Sequence, residues 1–67
     1  MSIGEKIRQL RLQHAMTLEE LSKLIGVSTN QISKWENNKV QPSARNLKKL
    51  SALFKVDVKQ FTKLYKE

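Results

Sequence analysis

The chain has 67 residues and no Cys, and its thirteen Lys and Arg against six Asp and Glu give a formal net charge of +7. That length allows a single domain, 1–67, with a small core, and the lack of Cys removes disulfides, thiolate metal sites and thiol nucleophiles. The basic balance suits a polyanionic partner, nucleic acid above all, although a net charge of about 2 to 8 also serves the solubility of a small domain.

Ser2 and Glu5 form an S-x-x-E capping box, and Ile3, Ile7 and Leu10 follow at i, i+4 and i+7. This pattern predicts a first helix over 3–13, with Arg8 and Arg11 on its charged side and Leu12 away from the apolar face. His14 and Ala15 make the break, where a residue other than Gly costs about 1 kcal/mol if the turn needs positive φ. His14 reads as a solvated turn residue, since no second His, Cys or carboxylate cluster accompanies it. A second box, Thr17 with Glu20, opens a helix that turns Leu21, Leu24 and Ile25 inward and ends at Gly26. A third, Ser28 with Gln31, opens a helix with Ile32 and Trp35 inward that ends at Asn37 and Asn38, where Asn can adopt the left-handed conformation. Pro42 and Ser43 start a fourth helix with Leu47, Leu50, Leu53 and Phe54 on one face and Lys48 and Lys49 on the other. Asp57-x-x-Gln60 caps a fifth, with Val58, Phe61 and Leu64 or Tyr65 inward. Five helices, no strands and short loops predict a compact all-α bundle.

Thr17 to Asn37 is the stretch that carries chemistry, as two short helices joined at a glycine turn. Ser22 and Gly26 allow the helices to cross closely, because a large residue at 22 would hold them apart and a β-branched one at 26 would strain the turn. With Ile32 and Trp35 buried, 100° per residue puts Asn30, Ser33, Lys34 and Asn37 on the outer face, with Thr29 at its margin. That face has no acidic residue. Asn can pair with adenine through two bonds, Lys can donate to guanine, and the Thr methyl can meet thymine in the major groove. Polar helix faces are usually just solvated. Here the turn, the helix lengths and the charge agree, and they favour double-stranded DNA as the partner.

These residues resemble the Cro/repressor-type (XRE) helix-turn-helix family of phage and bacterial regulators. The likeness spans nearly the whole chain: Arg11 in the first helix, Thr17 with Glu19 to Leu21, Gly26 to Ser28, Ile32 to Glu36, and Pro42 before the fourth helix. It implies a lambda-repressor-like bundle of about five helices whose third helix reads DNA. By position it implies base contacts from Ser28, Thr29, Asn30 and Lys34, with Ser33 as a further contributor. It implies phosphate contacts from Thr17 and Leu18 at the second helix, from Asn37, Asn38 and Lys39 after the third, and from Ser43 to Arg45 at the fourth. Arg11 and Glu36 match a pair that ties the first helix to the third close to the DNA backbone, with Arg11 as a further phosphate residue. Helix N-termini suit such anions, because they present free N–H groups and a partial positive charge. The chain departs from the family at Leu18, commonly Gln, which loses a side-chain hydrogen bond to DNA. It departs also at Ser22, commonly Ala, a small change if the hydroxyl bonds within the helix, and at Ala15 and Asn38, often Gly.

The expected function is a sequence-specific transcriptional regulator, a repressor by preference, acting as a homodimer with third helices about 34 Å apart on a near-palindromic site. Val56 to Tyr65 or the end of the fourth helix would supply the dimer surface. The alternative is a protein-interaction module, such as the DNA-binding antitoxin of a toxin pair, with Leu12 and Tyr65 against the partner. One His and scattered carboxylates nominate no catalytic set, and no cofactor, metal or small-molecule ligand is expected. No apolar run approaches a membrane span and the charged N-terminus does not read as a signal peptide, so a cytoplasmic protein with no membrane partner is expected.

Overall fold

The computed structural model describes residues 1–65 as five helices, α1 (Ile3–Gln13), α2 (Leu18–Ile25), α3 (Thr29–Glu36), α4 (Ala44–Phe54) and α5 (Lys59–Thr62), with no strand among the described residues. Lys66 and Glu67 lie outside them. No described helix is long and apolar enough to cross a membrane.

Two of the three predicted capping boxes close. The Ser2 hydroxyl accepts from the Glu5 N–H at 3.1 Å while Glu5 accepts from the Ser2 N–H at 3.0 Å. Thr17 and Glu20 repeat the arrangement at 3.1 and 2.9 Å. The two bonds to Ser2, its backbone N–H first and its hydroxyl second, hold the Glu5 carboxyl below its ordinary value. At α3 only half of the box forms: Ser28 Oγ accepts from the Gln31 N–H at 3.1 Å, and the N-cap is completed without a return bond from the Gln31 side chain. Ser43 caps α4 through the Asn46 N–H at 3.2 Å, so Pro42 sits one residue ahead of the cap, buried, and does not occupy the first helical position. At α5 the Asp57 carboxylate accepts from the Lys59 N–H at 2.9 Å instead of from Gln60, and the helix is a single turn.

Helices of eight residues are too short to persist alone, since isolated helices below about 12 residues are marginal in water. They are held by a shared core of Ile3, Ile7, Leu10, Leu21, Ile25, Ile32, Trp35, Leu47, Leu50, Phe54 and Phe61. Each such side chain contributes roughly 1.5 to 3 kcal/mol on full burial. Val56, Val58 and Leu64 pack against this core, whereas Tyr65 stays 45% exposed. The apolar residues expected to serve a dimer surface are therefore partly covered within the chain and partly open. Leu24 corrects the sequence expectation: it is 60% exposed. The inward stripe of α2 is centred on Leu18, Leu21 and Ile25, and at 3.6 residues per turn Leu24 falls about 90° from that centre.

Ala15 (φ 53°), Asn38 (φ 60°) and Lys55 (φ 57°) all adopt the left-handed conformation, as does Gly26 (φ 82°). Asn tolerates it best of the three. At Ala15 the steric cost is about 1 to 2 kcal/mol, and glycine would return part of the gain as greater freedom of the unfolded chain. Ala15→Gly is expected to stabilise the fold by about 0.5 to 1 kcal/mol, raising the thermal midpoint by roughly 2 to 8 °C. Calorimetry on the two proteins measures this directly, and an unchanged or lower midpoint would contradict the strain assigned to Ala15.

Candidate nucleic-acid interface

The α2–turn–α3 unit has its outer polar face where the sequence placed it. Ile32 and Trp35 are buried, and Asn30, Lys34 and Asn37 form an exposed stripe at i, i+4 and i+7. Thr29 and Ser33 are half-buried at its margin. The structure also shows which of these polar groups already have partners. Asn37 Nδ2 donates to the Ser33 carbonyl at 2.9 Å and to Ser33 Oγ at 3.3 Å, so both side chains are folded onto the end of α3. Ser28 Oγ serves as the N-cap acceptor, which leaves its hydroxyl proton as its remaining donor. Asn30 and Lys34 are the long, exposed polar side chains at the front of the stripe.

Around it lie the groups expected to meet phosphate. Thr17 and Ser43 are exposed N-caps of α2 and α4, Arg45 is exposed in the first turn of α4, and Asn38 and Lys39 are exposed in the loop after α3. Leu18 is half-buried and packs against the core, which gives it a structural occupation where a polar side chain would reach outward.

Arg11 is the best-defined charged group. Its Nε donates to Glu36 Oε2 at 2.8 Å, one terminal nitrogen donates to Glu36 Oε1 at 3.1 Å, and the other donates to the Met16 carbonyl at 2.9 Å. The two side chains are only 11% and 7% exposed. The hydrogen bonds with Glu36 raise the Arg11 pKa above its ordinary value, against an opposing contribution from burial. Three of its five N–H groups are thus committed inside the protein. It joins α1 to the last residue of α3 and to the loop just ahead of the α2 cap.

Gly4 holds the same end of α3 two turns earlier, and the sequence pattern had given it no role. A Cβ built there would lie 2.2 Å from the Trp35 carbonyl, 2.7 Å from Asn38 Oδ1 and 2.9 Å from the Glu36 carbonyl. Only a glycine lets α1 approach the backbone of α3 this closely. The sequence carried little signal for it, because Gly4 is only the second residue of α1, in the first turn, where a glycine is not out of place. His14 is an exposed turn residue, as expected, and in addition its Nδ1 lies 2.9 Å from the Leu10 carbonyl and its ring 4.9 Å from that of Phe54, which ties the end of α1 to α4. Lys49 also reaches back, with Nζ 3.4 Å from the Ile25 carbonyl at the end of α2. Among the described residues no group of His and carboxylates could hold a metal ion.

The description of the Helix-turn-helix family matches residues 7–61 of the chain, from the second turn of α1 to Phe61 in α5. The chain belongs to this family. It is 40% identical over 58 residues to the HTH-type transcriptional activator BcrR of Enterococcus faecalis, covering 87% of the chain but only 28% of that longer protein. Its fold is similar to that of the P22 c2 repressor in complex with a synthetic operator (TM-score 0.82, 32% identity, 88% of this chain and 89% of that one). It is also similar to the biofilm regulator SinR in complex with DNA (TM-score 0.77, 37% identity, 84% and 90% of the two chains).

Within this family member the two attachments of α1 differ in kind, and their loss should differ in size. Glu36→Ala strands a largely buried guanidinium and is expected to cost about 3 kcal/mol. Gly4→Ala must push backbone aside and is expected to cost about 1 to 3 kcal/mol. Urea titration of each variant reads both values, and a Gly4→Ala protein as stable as wild type would show that α1 has room to shift.

Proposed function

We propose that the chain is a sequence-specific double-stranded DNA-binding regulator of transcription, acting as a homodimer on a near-palindromic operator with α3 in the major groove. The observation that carries this reading is the outer stripe of α3, where Asn30 and Lys34 project from a rigidly held helix with no acidic neighbour on that face. Its relatives include regulators solved in complex with DNA. The Asn and Lys head groups match adenine and guanine edges, and Thr29 and Ser28 complete the front of the reading surface. Ser33 contributes less, because its hydroxyl accepts from Asn37.

The helix N-termini at Thr17–Leu18 and Ser43–Arg45, with Asn38 and Lys39 in the loop, take phosphates on either side. At Leu18 the contact comes from the backbone N–H. Arg11 acts chiefly as a brace, with its two uncommitted N–H groups turned to a nearby phosphate. The longest principal extent of the molecule is 29 Å, shorter than the roughly 34 Å between successive major grooves on one side of the duplex, so one copy spans one half-site. Its action is binding without catalysis, in the compartment that holds the DNA.

Selection from random duplexes should enrich a motif with two related half-sites, and retention of unrelated sequences would exclude specific reading. On the selected site Asn30→Ala or Lys34→Ala is expected to lose about 1 to 3 kcal/mol and relax the preference at one base position. Lys39→Ala should weaken all sequences alike and reduce the slope of log affinity against log salt by about 0.9. Titration of the selected duplex by fluorescence anisotropy at several salt concentrations separates the two behaviours.

A further inference from the structure

Ser22 sits in the middle of α2, half-buried, and its small size already accounts for the close passage of α3. Its hydroxyl does something that size does not require. Ser22 Oγ donates to the carbonyl of Val27, the last residue of the turn. The Ser22 carbonyl meanwhile accepts from the Gly26 N–H at 2.8 Å and from the Val27 N–H at 3.3 Å. One residue of α2 therefore holds both the N–H and the C=O of Val27.

The two bonds constrain different peptide planes. The N–H bond fixes the Gly26–Val27 peptide, and any residue at position 22 could supply its acceptor. The hydroxyl bond fixes the Val27–Ser28 peptide, the plane through which the chain enters α3, because Val27 C=O and Ser28 N–H belong to the same rigid amide. Rotating α3 against α2 requires torsion changes at residues 26 to 28. Gly26, at φ 82° with no atom beyond its own chain neighbours within 4 Å of where a Cβ would stand, opposes such changes weakly.

From this geometry we infer that Ser22 is a positioning residue for DNA reading: its hydroxyl staples the turn and sets the angle at which α3 presents Asn30 and Lys34. The inference rests on the DNA-reading function proposed above and assigns Ser22 a role beyond fitting the helix crossing. Ser22 does not touch DNA in this scheme. It acts through the Val27–Ser28 peptide.

Ser22→Ala is a clean test, because alanine is smaller and a better helix former, so the fold persists while the staple is lost. Ser22→Thr keeps the hydroxyl and serves as the conservative variant. The first measurement is NMR of the free protein, where the Val27 carbonyl carbon shift, which reads the hydroxyl bond directly, should move in Ser22→Ala and return in Ser22→Thr, while the shifts of the α1 and α4 core stay put. The second is affinity for the selected duplex and for a scrambled one. The loss is bounded by the worth of one neutral hydrogen bond, so Ser22→Ala should bind the selected duplex roughly two- to tenfold more weakly, with a smaller change on the scrambled duplex. Ser22→Thr should recover most of the difference.

If Ser22→Ala matches wild type in affinity and discrimination on a duplex that wild type reads specifically, the inference fails and the DNA-reading function stands. Equal losses on both duplexes also overturn it, since a general loosening would act without regard to sequence. A wild-type chain that enriches no motif overturns both.

Discussion

Three segments of the chain meet at the Arg11 guanidinium. Through it α1 is joined to the end of α3 by two bonds to Glu36 and to the approach to α2 by one bond to the Met16 carbonyl. An exposed ion pair would add little, because solvent competes for both partners. This one is nearly covered, so its charges have given up most of their water and depend on one another. The net stability of such a pair over an apolar replacement is small. Its larger effect is geometric, since a planar fork fixes direction as well as distance and has one arrangement that satisfies Glu36 and Met16 together. Gly4 supplies the complementary constraint. The ion pair pulls α1 and α3 together at Arg11, and the bare Cα at Gly4 lets the backbones close two turns away.

The rest of the domain follows from that frame. α3 is only two turns long and its outer side is bare of packing, so it is held only from its inner face and its two ends. Ile32 and Trp35 anchor the inner face, Arg11 and Gly4 hold the C-terminal end, and the Ser22–Val27 contact with the Ser28 cap holds the N-terminal end. α4 and α5 close the other side of the core through Leu47, Leu50, Phe54 and Phe61. The caps matter because short helices have few internal bonds, and each leaves four N–H groups unsatisfied at its start.

Most of this frame was legible in the sequence, for identifiable reasons. Helix starts were visible because a capping hydroxyl and a Glu or Gln three residues on are a local signature, and α1 begins and ends at the residues so predicted. The outward stripe of α3 was visible because Ile32 and Trp35 fix its helical phase. Leu24 was misplaced because the four apolar residues of an eight-residue helix spread over more than one face, and only the neighbouring helices decide that Leu18, Leu21 and Ile25 form the buried one. Gly4 and the Ser22 hydroxyl were not legible for a different reason. Their partners lie on Trp35, Glu36, Asn38 and Val27, and the atoms involved are mostly backbone carbonyls, which every residue carries and no pattern of side chains announces. The left-handed turn at Asn38 was read from residue type, whereas the one at Lys55 had no such signal.

These placements separate the residues that fix α3 from those it presents. Every group that fixes it, from Gly4 and Arg11 to Ser22, Ile32, Trp35 and Glu36, acts through the inner face or the ends. Asn30 and Lys34 touch neither, and their exposure frees them from the packing that restricts the others. Substitutions at 30 and 34 therefore change what is presented without changing how it is held. Ser33 and Asn37 sit between the two classes. They lie on the presented side, but their mutual hydrogen bond uses them to finish the helix. Any partner that engaged Asn37 would have to replace that bond, so its energy counts against the contact, and the polar side chains left without an internal bond on this face lie in the first turn and a half of α3.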